Sequence, residues 1–478
     1  MDIVMTHNMH VASITDLPAS AIAQLILQKK LSPVEVMDAH LLRIEQLNPK
    51  INAFVRVDAE RARSQAKRAE AALMRGVESR PLLGVPISIK ACIDVQGLPC
   101  EAGSRLRGGF VASQDATLVE RLKNAGAIVI GNTNTPELLM AYHTDNLLQG
   151  RTNNPWDLSR TPGGSSGGEA AAIACGMSAA GIGSDGGGSI RVPAHFCGIC
   201  GLKPTPGRIP ATGHYPPCGG PFSLIGVVGP MARTVEDLQL LFAVTAGYDP
   251  RDPVSAPVSL GTTDEFQAKQ LRIGYYEDDG YSSPTPETRA AVQAAANALK
   301  DAGFEVAPFR PDGLDQAREL WSVIFVDASA MILNSMVEGR EHEISTNTKQ
   351  FLAVAGERPS LTGNRLLNTL LERDRLRSDL LTQMEQFPVL LSPVCSIPAF
   401  RHQDGGWGPT YAADYLQTMT YSQHYNLLGN PAVVVPVGMS PEGLPIGVQI
   451  IGRPYKEDEI LAVASALEHR FTSARPSL

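Results

Sequence analysis

Two glycine–serine clusters constrain this chain more than any other feature. Gly163-Gly-Ser165-Ser-Gly167 and Gly183-Ser-Asp-Gly186-Gly187-Gly188-Ser189 stand on either side of an Ala-rich run at roughly 168–180. Glycine admits unusual backbone conformations and close backbone approach. The pattern therefore reads as two tight loops held by a short rigid helix, with 181–193 as the second loop. The segment 145–168 before them is rich in Asn, Gly, Ser and Pro. A loop of that length inside a compact unit is usually functional.

Two familiar glycine motifs fit poorly. Gly181-Ile-Gly183-Ser-Asp-Gly186 matches G-x-G-x-x-G. A dinucleotide site needs a strand before it, a helix after it and an acid about twenty residues on. An Ala-rich helix precedes it, Pro193 follows, and no Asp or Glu occurs from 186 to 235. Gly163-Gly-Ser165-Ser-Gly167 matches G-x-S-x-G, but that elbow needs a buried strand before the serine. The lead-in from Asn153 to Pro162 is polar and broken by proline. Likewise Ser64-Gln-Ala-Lys67 has the S-x-x-K spacing but no companion motif, and reads as a solvated helix face.

The rest of the chain alternates helices and strands, which places it in the α/β class. Ser32-Pro33-Val34-Glu35 is a capping box with Pro at the first helical position, followed by apolar residues at helical spacing. Val85, Ile87 and Ile89 alternate as a strand with Lys90 near its end. A helix over 115–125 and a strand over 127–130 follow. Residues 271–308 read strand, helix, strand, and 313–386 read as mostly helical, an insertion that covers the site. Strands at 389–391 and 432–437 and a closing helix at 457–470 complete the chain. The expected organisation is one domain. Residues 1–75 form a helical N-terminal region and residues 76–310 the core. Residues 311–390 form a variable helical segment with a lid role, and residues 391–478 return to the core.

Composition narrows the function classes. The chain has 478 residues, 43% hydrophobic and 19% charged, with a net charge of −8. That is too apolar for disorder, and the acidic balance lacks the basic stripe of a nucleic-acid binder. There is no run of about eighteen apolar residues and no leader-like segment in Met1–Ser20, so a cytoplasmic protein without a membrane partner is expected. Seven cysteines make no disulfide framework, and Cys197 and Cys200 lack a second ligand pair for zinc. They read as packed small hydrophobes, and neither metal nor cofactor is expected.

The chemistry-bearing groups are Lys90, Ser165 and Ser189. A serine is a weak nucleophile until a base takes its proton. No histidine stands in a recognisable triad context; His143, His195 and His214 read as loop or core residues. A lysine serves if burial keeps it neutral. A serine between the two relays the proton, and the glycines before Ser189 let N–H groups converge on an oxyanion.

These segments, with spacings of 24 residues from Ser165 to Ser189 and 75 from Lys90 to Ser165, closely resemble the amidase signature family. The resemblance extends through Gly84-Val-Pro86, Asp115–Leu122, Gly201–Thr205, Gly229–Asp237, Gly429–Ala432 and Pro445–Gln449, and weakens over 310–400. It implies a central mixed, twisted β-sheet with helices on both faces. It implies an acyl-enzyme on Ser189, with Ser165 relaying a proton across a non-proline cis peptide to neutral Lys90. The N–H groups of Gly186, Gly187, Gly188 and Ser189 would form the oxyanion hole, Ser166 would support the loop, and Asp185 and Arg191 would pair structurally. Two positions depart from the family: Ala91 replaces an Asp after the lysine, and Gly186 replaces a Thr.

The resemblance also implies a substrate class. The branch that serves aminoacyl-tRNA transamidation carries Asp-Gln before an Ile-Gly-Pro; the matching stretch here is Ser223-Leu-Ile-Gly-Val-Val-Gly-Pro230. A free-standing amidase is the expectation, acting with water on small aryl or alkyl amides, and on related esters and carbamates. A homodimer is compatible with it. Leu139, Met140 and Tyr142 are candidate pocket residues or else a helix packing face, and the loop 215–222 edges the leaving-group side. Three rivals remain: a Ser–His–Asp hydrolase, a dinucleotide-dependent oxidoreductase and a partner-dependent subunit.

Overall fold

A computed structural model describes residues 14–76, 80–403, 414–472 and 474–478. The expectation of no leader-like segment falls largely on the first thirteen residues, which lie outside the described residues.

Eleven strands form one sheet: β1 (Phe54–Val57), β2 (Pro86–Lys90), β3 (Ile128–Thr133), β4 (Ala180–Asp185), β5 (Cys200–Lys203), β6 (Val227–Ala232), β7 (Arg272–Tyr275), β8 (Glu305–Pro308), β9 (Val389–Pro393), β10 (Ala432–Met439) and β11 (Pro445–Gly452). Their spatial order is β1-β3-β2-β4-β6-β5-β10-β11-β9-β7-β8. β2 runs parallel to both β3 and β4, and β7 parallel to β8 and β9. The other pairs are antiparallel, so the sheet is mixed.

Successive side chains of a strand point to opposite faces. Val433 and Val435 join one apolar cluster while Val434 joins another, and Val129 is divided in the same way from Ile128 and Ile130. Both faces are therefore covered. The helix Arg191–Cys197 contributes to the second cluster and the closing helix Glu457–Glu468 to the first. The capping box at Ser32 is present, with the Ser32 side chain accepting from the Val34 and Glu35 N–H groups.

The structure corrects the reading of the second glycine cluster. The Ala-rich helix is Gly167–Ala174, shorter than expected, and 180–185 is the fully buried strand β4 rather than a loop. Only Gly186–Ser189 forms the turn into the helix Arg191–Cys197. A Cβ on Gly181 would collide with Glu169 Oε1. Close packing of the strand on the preceding helix thus excludes the β-branched residues that ordinarily announce a strand. Strands β1, β5, β6 and β11 are further elements that the sequence reading lacks.

The helical segment after β8 begins with the run Leu314–Val337 of 24 residues, which contains an 18-residue window of mean hydropathy 1.6. It is long and apolar enough to cross a membrane, yet 61% of that window is buried within the protein. A π-helical turn, Val323–Asp327, interrupts it. The helices Thr346–Gly356 and Gly363–Gln383 follow.

Candidate active site

Parallel neighbours β2 and β4 bring the chemistry together. Lys90 is the last residue of β2, Ser184 and Asp185 end β4, and Ser165 precedes the helix Gly167–Ala174. Lys90 Nζ lies 2.6 Å from Ser165 Oγ and 3.0 Å from Ser184 Oγ. Lys90 is fully buried and forms no ion pair among the described residues. Burial pushes its pKa down to about 8, against the smaller opposing pull of Cys92, Asp185 and Glu169. The Gly164–Ser165 peptide is cis. Ser166 joins the two loops: its N–H donates to Ser189 O (3.1 Å), and its Oγ lies 3.3 Å from both the O and the N of Ser184.

Asp185 organises the turn that carries Ser189. Its carboxylate accepts from the N–H groups of Gly188 (2.7 Å) and Ile190 (3.0 Å) and pairs with Arg191 at 3.0 Å, both side chains being fully buried. Burial opposes the charge, but the Arg191 guanidinium and these N–H donors hold the carboxyl well below its usual range. Arg191 is satisfied in turn by Gln449 and Asn426. Gly188 is therefore not a free donor: its N–H is already spent on Asp185. The Gly186, Gly187 and Ser189 N–H groups remain as oxyanion candidates.

Two side chains hold the carbonyls of the same turn from outside. Trp321 Nε1 donates to Gly186 O at 2.9 Å, and the Tyr142 hydroxyl donates to Gly187 O at 2.7 Å. Gln423 donates to the Tyr142 hydroxyl at 3.0 Å. Each carbonyl shares a peptide plane with the next N–H, so these bonds set the direction of the Gly187 and Gly188 N–H groups. A Cβ on Gly187 would stand 2.5 Å from Trp321 Cζ2, so glycine is required there. At Gly186, where the resembled family carries Thr, a Cβ would meet Phe325 at 3.3 Å. Trp321 and Phe325 stack at 4.6 Å. Sequence reasoning misses Trp321 because it lies in the segment where the resemblance is weakest.

Beside Lys90, in place of the Asp that Ala91 lacks, stand Ser184 and Cys92. Cys92 Sγ is 3.7 Å from Ser184 Oγ and 3.5 Å from His214 Nε2. His214 Nδ1 lies 2.8 Å from Pro216 O and 3.6 Å from Cys218 Sγ. Behind β2, the buried Glu169 carboxyl accepts from Ser88 and, at 2.7 Å, from Thr133. Burial raises its pKa to about 7 despite these donors.

Ser165 and Ser189 open into a cavity of about 210 Å³. Its walls are mainly apolar, with Leu139, Met140, Phe222, Phe325 and Met336 among them. Leu139 and Met140 line this space, on a turn where Leu138 and Leu139 both take positive φ. Tyr142 does not line it; it is buried behind the Gly187 carbonyl. The loop 215–222 does form one wall, through Tyr215, Pro216, Pro217, Cys218 and Phe222. Of the helical segment expected to cover the site, the run Leu314–Val337 supplies the roof. Cys197 and Cys200 are buried, with Cys197 Sγ 3.4 Å from Pro162 O.

The comparisons with known proteins agree with this architecture. The Amidase family model matches residues 35–461. A glutamyl-tRNA(Gln) amidotransferase subunit of Desulfatibacillum aliphaticivorans is 33% identical, over 95% of this chain and 97% of its own length. An acylamidase of Rhodococcus erythropolis is also 33% identical, over 96% of each chain. Among solved structures, a bacterial aryl acylamidase of the amidase signature family superposes with a TM-score of 0.83 at 26% identity, covering 95% of this chain and 96% of that one. The signature loops, the mixed sheet that carries them and a match over most of the sequence place the chain in the amidase (amidase signature) family of enzymes acting on carbon–nitrogen bonds.

Proposed function

We propose that the protein is a free-standing amidase for small apolar amides, working through an acyl-enzyme on Ser189. The observation that carries this reading is the Lys90–Ser165 contact of 2.6 Å, in a buried site without an ion pair to the lysine among the described residues. Neutral Lys90 takes the Ser165 proton as Ser165 takes that of Ser189. Ser189 Oγ then attacks the amide carbon, and the Gly186, Gly187 and Ser189 N–H groups receive the oxyanion. The proton returns along the same path to the leaving amine. Water repeats the sequence on the acyl-enzyme and releases the acid. The same tetrahedral intermediate accommodates esters and carbamates.

The pocket supports an apolar acyl or aryl group. Among the described lining residues there is no Lys or Arg, so only His214, already held by Pro216 O and two sulfurs, could face the carboxylate of an amino-acid amide, and a buried anion without a guanidinium or ammonium partner costs several kcal/mol. That is the argument against the second reading, a subunit that works only in a complex. The 33% identity to an amidotransferase subunit favours that second reading.

The deciding experiment is hydrolysis by the purified chain and its Ser189→Ala variant of a primary amide, an anilide, a p-nitrophenyl ester and an aryl carbamate. Turnover by the parent alone supports the reading. No turnover by either favours the partner-dependent protein, and equal turnover by both means that the nucleophile is another residue.

A further inference from the structure

The pocket wall opposite the roof contains a group of side chains that the hydrolytic sequence leaves unused. His214 lies between two sulfurs, with Nε2 3.5 Å from Cys92 Sγ and Nδ1 3.6 Å from Cys218 Sγ. Of the seven cysteines, Cys218 alone is not fully buried. It lines the same cavity as Ser165 and Ser189, beside Tyr215, Pro217 and Phe222. The ring orientation follows from its neighbours. Pro216 O, 2.8 Å from Nδ1, can only accept, so Nδ1 carries a proton on the side where Cys218 sits. Burial by itself would disfavour the imidazolium, but the flanking sulfurs carry the His214 pKa well above its ordinary value. Cys92 is shifted the other way: burial works against its thiolate, yet His214 and Lys90 draw its pKa down.

We propose that Cys218, flanked by His214, is a second nucleophilic site in the pocket. It would be a modification site for small apolar soft electrophiles of the α,β-unsaturated ketone class, and its alkylation closes the acyl pocket. The sulfur adds to the β-carbon of the electrophile as the C=C π bond breaks. The thiol proton ends on the α-carbon, so nothing is released and no oxidant is required. The Nδ1–H stays on Pro216 O, and the positive edge of the His214 ring, 3.6 Å away, favours negative charge on the sulfur as its proton leaves. The apolar walls that would hold an acyl chain also concentrate such a reagent. The six other cysteines are buried and out of its reach. Since Cys218 and Ser189 line one cavity, an adduct on the sulfur occupies the space an acyl group needs.

The test treats the full chain with phenyl vinyl ketone and follows adduct formation by intact mass and peptide mapping, alongside residual anilide hydrolysis. The expected result is a single adduct on Cys218. It forms about tenfold faster than on N-acetylcysteine under the same conditions, is slowed by phenylboronic acid bound in the pocket, and is accompanied by a parallel loss of hydrolysis. His214→Gln should bring labelling down to the free-thiol rate. An adduct on another cysteine, labelling of Cys218 no faster than the free thiol, or full labelling with hydrolysis intact would each overturn the proposal. If His214→Gln does not fold, the free-thiol comparison and the boronate protection decide the matter on the parent chain. Labelling does not depend on Ser189 being the nucleophile, so Ser189→Ala, which tests the hydrolytic reading, should still be alkylated at Cys218.

Discussion

Replacing Trp321 with Phe removes one donor from the catalytic turn while keeping an aromatic ring against Phe325. The indole N–H to Gly186 O bond is 2.9 Å long and partly buried. The net loss of a neutral hydrogen bond is about 0.5–1.5 kcal/mol, or roughly 2- to 13-fold in rate. Loss of an entire oxyanion donor would cost about 2.7–4 kcal/mol. Trp321 acts on the direction of the Gly187 N–H without supplying it, so the smaller range applies, and a fall in kcat of about tenfold is expected. KM should stay within about twofold, because ground-state contacts in the acyl pocket are largely kept. The assay is steady-state hydrolysis of an anilide, with thermal melting to follow the cost of the smaller ring. Tyr142→Phe removes the donor on the adjacent carbonyl, and the double variant should be less than additive, since both act on one turn. A kcat unchanged within about twofold, or a rise in KM alone, would show that Trp321 only packs.

Three other outcomes follow from the charges. With Lys90 at a pKa of about 8 and active when neutral, kcat/KM should rise about tenfold per pH unit below that value and level off above it; a rate flat from about pH 6 to 10 would exclude lysine as the base. Asp185→Asn leaves the Arg191 charge buried without its partner, and should lower stability by about 3–5 kcal/mol in a denaturant titration. Glu169 has its folded pKa raised from 4.5 to about 7, so the folded state binds the extra proton and stability is lost as pH rises through that window. Glu169→Gln should flatten the decline in melting temperature between about pH 5 and 7.

The parts of the site legible in the sequence are those whose backbone demands glycine. Ser165 and Ser189 stand out through their loops, and Lys90 through the alternation of Val85, Ile87 and Ile89. The same glycines conceal β4, because close packing against Glu169 removes the side chains that mark a strand. β6 is hidden by Gly229 and Pro230, and β11 carries no polar alternation because it is buried along its whole length. The family resemblance marks Tyr142 as a pocket candidate, but its hydroxyl meets the Gly187 carbonyl instead. Gly188 reads as an oxyanion donor because sequence does not show that Asp185, three residues earlier, takes its N–H. Trp321 is 135 residues from Gly186, and nothing local announces such a contact.

That last contact has a consequence for how such enzymes can be altered. The proposed reacting groups come from β2, the loop before the helix Gly167–Ala174 and the turn after β4, whereas Phe325, Ser329, Ile332, Leu333 and Met336 of the cavity wall come from the roof helix Leu314–Val337. Exchanging that helix between relatives would be the natural way to graft a new substrate preference onto an unchanged catalytic base. Here the graft would also transplant the clasp on Gly186. A chimera that imports a foreign helix without an indole at 321, or that breaks the register by which the π-turn at 323–327 separates Trp321 from the pocket-facing Ile332 and Met336, would inherit the donor's appetite and lose turnover. Recombination at this locus therefore succeeds only in blocks that keep residues 321 and 186 as a matched pair.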